Sequence, residues 1–212
     1  LEQAIAISCN TYFCQAFSET FKKFKTTKEA YNIWRNHIKS FGIGEWMNND
    51  FVSGAKGLLP EHDYYNKYYG RTSWNSSTII SMAIGQGELL LTPIQMANIA
   101  AIIANKGFYY TPHIIKSIEG ENNIDSSFTD KKYTTISKYN YDLIIEGMEK
   151  VIKSKNGTAH NIQSDEIVIC GKTGTAQNPH GEDHSIFIAF APKEDPKIAL
   201  AVYVENGGWG SK

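Results

Sequence analysis

The last third of the chain constrains its fold most. Residues 167–170, 185–191 and 198–204 are short β-branched or aromatic runs, the composition of strands. Turn-like breaks separate them, at 178–183 with Pro179 and Gly181, and at 192–196 with Pro192 and Pro196. Short connections join antiparallel neighbours, whereas parallel pairs need a crossover, so an antiparallel sheet is expected. Everything before it follows the helical period. Ile5, Tyr12, Phe13, Ala16, Phe17 and Phe21 predict a helix over 2–24, with Lys22, Lys23 and Lys25 at its dipole-favoured end. Thr26 and Glu29 form a capping box for a second helix with the stripe Ala30, Ile33, Trp34 and Ile38, stopped at Gly42. Residues 42–74 show no period and read as loop. Thr92-Pro93-Ile94-Gln95 is a cap, a proline at the first helical position and a closing glutamine, and it opens a small-residue helix through Ala97, Ala100, Ala101 and Ala104. Residues 108–118 read as extended and 140–155 as an amphipathic helix. Helices first and a meander last predict an α+β fold, an antiparallel sheet with helices packed on it.

Composition bounds the rest. At roughly 150 residues per domain, 212 residues make one large domain or two small ones. Hydrophobic residues at 42% and charged residues at 20% exclude a disordered chain. Lys+Arg at 21 against Asp+Glu at 22 leaves no basic field, and so no expected nucleic-acid partner. The three cysteines, Cys9, Cys14 and Cys170, form no disulfide framework, which by itself leans toward a reducing compartment. The most apolar run, 99–104, is far short of the ~18 residues of a membrane span. The chain opens at Leu1 directly into helix-forming sequence, with no signal-peptide core, and is expected to be a piece of a longer protein.

The chemistry concentrates in Gly171-Lys172-Thr173-Gly174-Thr175-Ala176. On an edge strand, Lys172 and the hydroxyls of Thr173 and Thr175 would meet a ligand carboxylate, and the glycines, Gly174 among them, would let the ligand lie along the backbone. A phosphate loop would need a further Gly before the Gly-Lys-Thr; position 166 is Glu, so that reading fails. Near the other end stands Ser8-Cys9-Asn10. Residues two apart do not share a helix face, so Ser8 and Asn10 face one cleft only at a helix start or turn. Alone, the tripeptide is read as capping or solvated.

Ser-x-Asn followed by Lys-Thr-Gly resembles the second and third signatures of the serine penicillin-recognising enzymes. Ile84-Gly85-Gln86-Gly87-Glu88 with Leu91-Thr92-Pro93-Ile94-Gln95-Met96-Ala97 is similar to a segment of the class B penicillin-binding proteins. So are Ser53-Gly54-Ala55-Lys56-Gly57-Leu58-Leu59-Pro60, the segment from His184 to Pro192, and Glu205-Asn206-Gly207-Gly208-Trp209-Gly210. The last two favour the elongation type, penicillin-binding protein 2, over the division type, penicillin-binding protein 3. The resemblance covers essentially the whole chain. It implies the serine β-lactamase/transpeptidase-like fold and a peptidoglycan D,D-transpeptidase that acts through a serine acyl-enzyme, without a cofactor.

In that family the nucleophilic Ser and its Lys lie on a helix upstream of Ser-x-Asn, and nothing before Ser8 can hold them. The Ser-x-x-Lys string at Ser53 and Lys56 comes after Ser8, and Gly54 makes it a poor helical turn; it is read as a decoy. Residues 1–212 are therefore expected to be a partial transpeptidase domain, lacking the nucleophile's helix and the C-terminal helix. The resemblance gives Ser8 a proton-relay role. Asn10 would bind the substrate amide, and Lys172 would supply positive potential and hold Ser8. Thr173 and Thr175 would bind the terminal carboxylate, and the Thr175 N–H would supply one oxyanion donor. The implied partners are the D-Ala-D-Ala stem peptide, β-lactams, and a cell-wall glycosyltransferase with its elongation complex. The implied location is the periplasmic face of the bacterial inner membrane, anchored by a segment outside this chain, which overrides the cysteine argument. Alternatives are a non-catalytic β-lactam sensor or binding module of the same fold, and a serine β-lactamase, which would need a deacylating carboxylate that no motif marks. His180-Gly181-Glu182-Asp183-His184, with Cys170 and His160 not far off, has metal-ligand residue types but links two predicted strands, so a polar turn is expected and no metal. Asn75-Ser76-Ser77 and Asn156-Gly157-Thr158 match glycosylation acceptors, without meaning in a bacterial enzyme.

Overall fold

The computed structural model describes residues 1–71, 73–120 and 124–211. Its order is α1 (Glu2–Ala6), α2 (Asn10–Phe21), α3 (Thr27–Lys39), α4 (His62–Tyr69), a 3-10 turn (Ile80–Ile84), α5 (Pro93–Ala104), β1 (Phe108–Tyr109), α6 (Ser126–Thr129), β2 (Lys132–Tyr133), α7 (Lys138–Lys153), a 3-10 turn (His160–Ile162), then β3 (Cys170–Ala176), β4 (His184–Ala191) and β5 (Ile198–Val204). The expected meander is present as an antiparallel sheet in the order β3-β4-β5. Lys172 stands opposite Ile188, and Phe187 opposite Val202.

The first strand departs from expectation. It starts at Cys170 and contains the whole Gly171–Ala176 motif, while Ile167 and Val168 are exposed. Pairing with β4 outweighs the β-branched signal of 167–170. A side chain at position 171 would begin 2.6 Å from the Phe187 ring, so the glycine lets that ring pack against the strand.

The expected helix over 2–24 is also broken. α1 ends at Ala6, Ser8 takes φ 53, and α2 starts at Asn10. No Gly or Pro marks the break; tertiary contacts impose it. The irregular 42–74 stretch contains α4, which the aperiodic His-Asp-Tyr-Tyr-Asn-Lys-Tyr-Tyr string concealed. Its Tyr65 is fully buried, 5.4 Å from the Tyr31 ring and 5.2 Å from Trp74. On α3 the buried stripe is turned: Tyr31 is inside and Ile33 outside. Of the extended 108–118 segment, only Phe108 and Tyr109 pair, with β2. The caps stand where expected. Thr26 accepts from Glu29 N–H, and Thr92 with Gln95 forms a full box on α5. Buried Gln95 also donates to Gly42 O and Lys56 O, tying the loop to α5.

Two apolar clusters result. One joins α1, α5, α7 and the sheet through Ile5, Ile102, Tyr141, Met148, Val151 and Phe190. The other is aromatic and joins α2, α3, α4 and the first 3-10 turn through Phe17, Phe21, Tyr31, Tyr65, Trp74 and Met82. The α1–α2 break lies at the seam. α1 is held on α7 by close contact: a Cβ on Gly147 would come within 2.6 Å of Ile5 Cδ1. Lys150 pairs with Glu2, and Thr158 N–H donates to Ala6 O at 3.1 Å. Gly147→Val should therefore destabilise the fold by about 1–3 kcal/mol through overpacking. The check is a lower denaturation midpoint with unchanged slope.

Candidate active site

Among the described residues β3 is an edge strand, paired only with β4. Side chains donate to the carbonyls of Thr173 and Thr175, two residues apart and so on the same edge. The donors are Lys172 Nζ, at 2.7 Å from Thr173 O, and Gln86 Nε2, at 3.3 Å from Thr175 O. Lys172 Nζ also donates to Ser8 Oγ at 2.9 Å, a contact spanning 164 residues. Burial pushes the Lys172 amine down to about 8. A group so placed carries positive charge at neutral pH yet gives up its proton far more readily than a surface lysine.

Ser8 owes its position to its left-handed backbone. Cys9 N–H donates to Ala4 O at 2.9 Å and Ser8 N–H to Ile5 O at 3.1 Å, closing the turn at the end of α1. Such a conformation costs a non-glycine residue roughly 1–2 kcal/mol, and the contact with Lys172 helps to offset it. Asn10 is the first residue of α2 and reaches the same space. Ser8, Asn10, Lys172, Thr173, Gly174 and Thr175 all line one cleft of about 630 Å³, closed by Phe13, Gln86 and Trp209. Thr173 Oγ1 lies 2.8 Å from Thr158 Oγ1, and Thr175 Oγ1 accepts from Gly210 N–H at 3.1 Å. Position 210 must be glycine here, since a Cβ would overlap Gly174 O at 1.9 Å. The arrangement is a half-buried cation between a hydroxyl and an edge strand, with two further hydroxyls beside it. It suits the binding of an anionic, extended ligand and the movement of a proton at Ser8 Oγ.

Residues 1–212 match the model of the penicillin binding protein transpeptidase domain. The chain belongs to that family. It is 30% identical over 235 residues to the peptidoglycan D,D-transpeptidase MrdA of Acinetobacter baumannii, an alignment covering 99% of this chain and 32% of that protein. The structure is similar to penicillin-binding protein 2 of Pseudomonas aeruginosa, with TM-score 0.82 and 33% identity over 99% of this chain and 45% of the other. It is also similar to penicillin-binding protein 2 of Helicobacter pylori in its complex with MreC, with TM-score 0.78 and 28% identity over 100% and 37%. The fold is thus the β-lactamase/transpeptidase fold, and the kinship is with elongation-type class B penicillin-binding proteins. The chain spans about a third of the length of the curated relative named here.

Within this penicillin-binding domain the Ser53–Lys56 string lies in a non-helical loop outside the cleft, with Lys56 O engaged by Gln95. In the His180–His184 turn, Asp183 Oδ1 accepts from Asn178 N–H at 3.1 Å and His184 Nδ1 from Asn206 N–H at 3.0 Å. Burial raises the Cys170 thiol to about 12, and among the described residues no three His, Cys, Asp or Glu side chains converge. Sequence reasoning missed Thr158, set aside as a glycosylation match, and gave Gln86 no role beyond its motif. The available signal was Gly157, where a Cβ would come within 2.2 Å of Val151 O and which thereby brings Thr158 against β3. Ser8→Gly should keep stability within about 1 kcal/mol of the parent value, because the strain it relieves offsets the lost hydrogen bond. Ser8→Val should lower stability by about 1–3 kcal/mol, since a β-branched residue resists positive φ. Thermal unfolding of both variants checks the pair.

Proposed function

We propose that this chain is the greater part of a peptidoglycan D,D-transpeptidase domain of an elongation-type class B penicillin-binding protein, with its nucleophilic Ser-x-x-Lys supplied from outside residues 1–212. The single observation that carries this reading is Lys172 Nζ donating to both Ser8 Oγ and Thr173 O at the free edge of β3. It links the two signatures that the family uses together. The substrate is the D-Ala-D-Ala end of a stem peptide, laid along β3. Its terminal carboxylate sits by Lys172, Thr173 and Thr175, with Gly174 leaving room for the chain. Asn10 holds the substrate's amide.

The nucleophile's hydroxyl oxygen bonds to the penultimate D-Ala carbonyl carbon as its proton passes to the Lys of the same Ser-x-x-Lys. The developing oxyanion takes the Thr175 N–H. The C–N bond then breaks, and Ser8 relays the proton to the departing amine. An amine on a neighbouring strand resolves the acyl-enzyme, which forms the crosslink. β-Lactams trap the same intermediate. The match to a neighbour solved with MreC supports a place in an elongation complex, which on this reading includes a glycosyltransferase and works at the periplasmic face of the inner membrane.

The test is acylation of the full-length parent by a labelled penicillin, with mass mapping of the modified serine. The label is expected on a Ser-x-x-Lys upstream of Leu1, and no label anywhere would refute the reading. Lys172→Ala should slow acylation by about 10²-fold or more, the usual size of a transition-state electrostatic contribution. The pH profile follows from the lowered amine: as pH rises through about 8, Lys172 loses its charge and acylation should fall. Lys172→Arg should shift that alkaline limb upward. The 212-residue chain alone should take no label; label that vanished in Ser53→Ala would make the decoy the nucleophile.

A further inference from the structure

We infer that the Gln86 carboxamide is a displaceable cap on the substrate-binding edge of β3, which competes with a ligand's peptide N–H and so holds down the site's preference for ligands that carry one. The inference rests on the transpeptidase reading above. A free strand edge is a template on which an extended peptide pairs through its own main chain. On this edge the carbonyls of Thr173 and Thr175 are held unequally. Thr173 O takes a charged donor, Lys172 Nζ, at 2.7 Å. Thr175 O takes a neutral one, Gln86 Nε2, at 3.3 Å, beyond the usual N–H···O distance. Charge-assisted bonds are about twice as strong as neutral ones. An incoming amide N–H therefore displaces Gln86 and leaves Lys172 in place.

The loop geometry suits a side chain that moves on a fixed backbone. Gln86 N–H is anchored to Ser81 O at 3.0 Å. Gly85 and Gly87 flank it at φ 74 and φ 75, and a Cβ at Gly85 would meet nothing within 4 Å. Gln86 lines both the main cleft and an adjoining hollow of about 620 Å³. The displaced carboxamide has space there, and its withdrawal joins the two cavities. Substrate binding thus exchanges one donor for another at Thr175 O, and a ligand without an amide N–H finds that carbonyl already satisfied.

The experiment uses the full-length parent and two β-lactams: benzylpenicillin, whose side chain carries an amide N–H, and a carbapenem with a hydroxyethyl side chain, which has none. The readout is the ratio of their second-order acylation rates. Gln86→Ala should raise the penicillin-to-carbapenem ratio about five-fold, one neutral hydrogen bond of ~1 kcal/mol at 1.4 kcal/mol per tenfold. Gln86→Glu, which cannot donate to a carbonyl, should raise it in the same direction. Its new charge acts on both carboxylate-bearing ligands and cancels in the ratio. A ratio unchanged or lowered in both variants, in a parent that acylates normally, overturns the cap and leaves the transpeptidase reading intact. A wild-type parent that neither ligand acylates overturns both.

Discussion

The pairing of β3 with β4 is the constraint on which the site depends. One edge of the Lys172–Thr175 strand is consumed by that ladder, with Gly174 opposite Ile186 and Thr175 opposite Ser185. The other edge is left with unpaired backbone groups that must find donors and acceptors elsewhere. Lys172, from β3 itself, and Gln86, from the loop after the first 3-10 turn, meet part of that demand. The glycines permit the arrangement: Gly171 admits the Phe187 ring against the strand, and Gly210 crosses over Gly174 O. The reactive edge is thus a by-product of how the sheet closes on one side only.

Two lysines near this sheet show how surroundings divide roles. Lys193 sits between Glu146 at 2.6 Å and Glu149 at 2.7 Å. Burial alone would lower its amine, yet the hydrogen bonds it donates to the two carboxylates hold it above the ordinary lysine range. It fastens the segment after β4 to α7 as a permanent cation. Lys172 has no carboxylate partner among the described residues, and burial moves it the other way. A cation without a counter-ion in a half-buried cleft is poised for an anionic ligand. Its nearest oxygens, Ser8 Oγ and Thr173 O, are neutral and leave that charge available.

Much of the fold was legible because its signals are local. The capping box at Thr92 is written in four consecutive residues and appears as expected; at Thr26 only the hydroxyl cap forms, and the Glu29 carboxylate accepts from Lys25 N–H instead of closing the box. The α7 face follows a simple period, and β4 and β5 stand on the β-branched and aromatic runs that mark them in the sequence. The motif order from Ser8 to Gly210 pointed to the family before any geometry. The misses share one cause. α4 has tyrosines on several faces, and only Tyr31 and Trp74 decide that Tyr65 is the buried one. The start of β3 is set by its partner strand. The break at Ser8 contains no breaker residue and arises from contacts with Thr158 and Lys172, far along the chain.

By itself, the sequence determined the α+β order, the helix starts, the antiparallel sheet and the two signatures whose combination is chemically specific. Each of these follows from periodicity, turn chemistry or motif order, which nearby residues suffice to define. Only the tertiary structure decided that Ser8 turns into the cleft at positive φ and that Gln86 covers Thr175 O, and it gave the geometry of the Lys172–Ser8 contact that the resemblance had implied. Those are pairings between distant segments, selected by what the two apolar clusters bring together, and no local pattern encodes them.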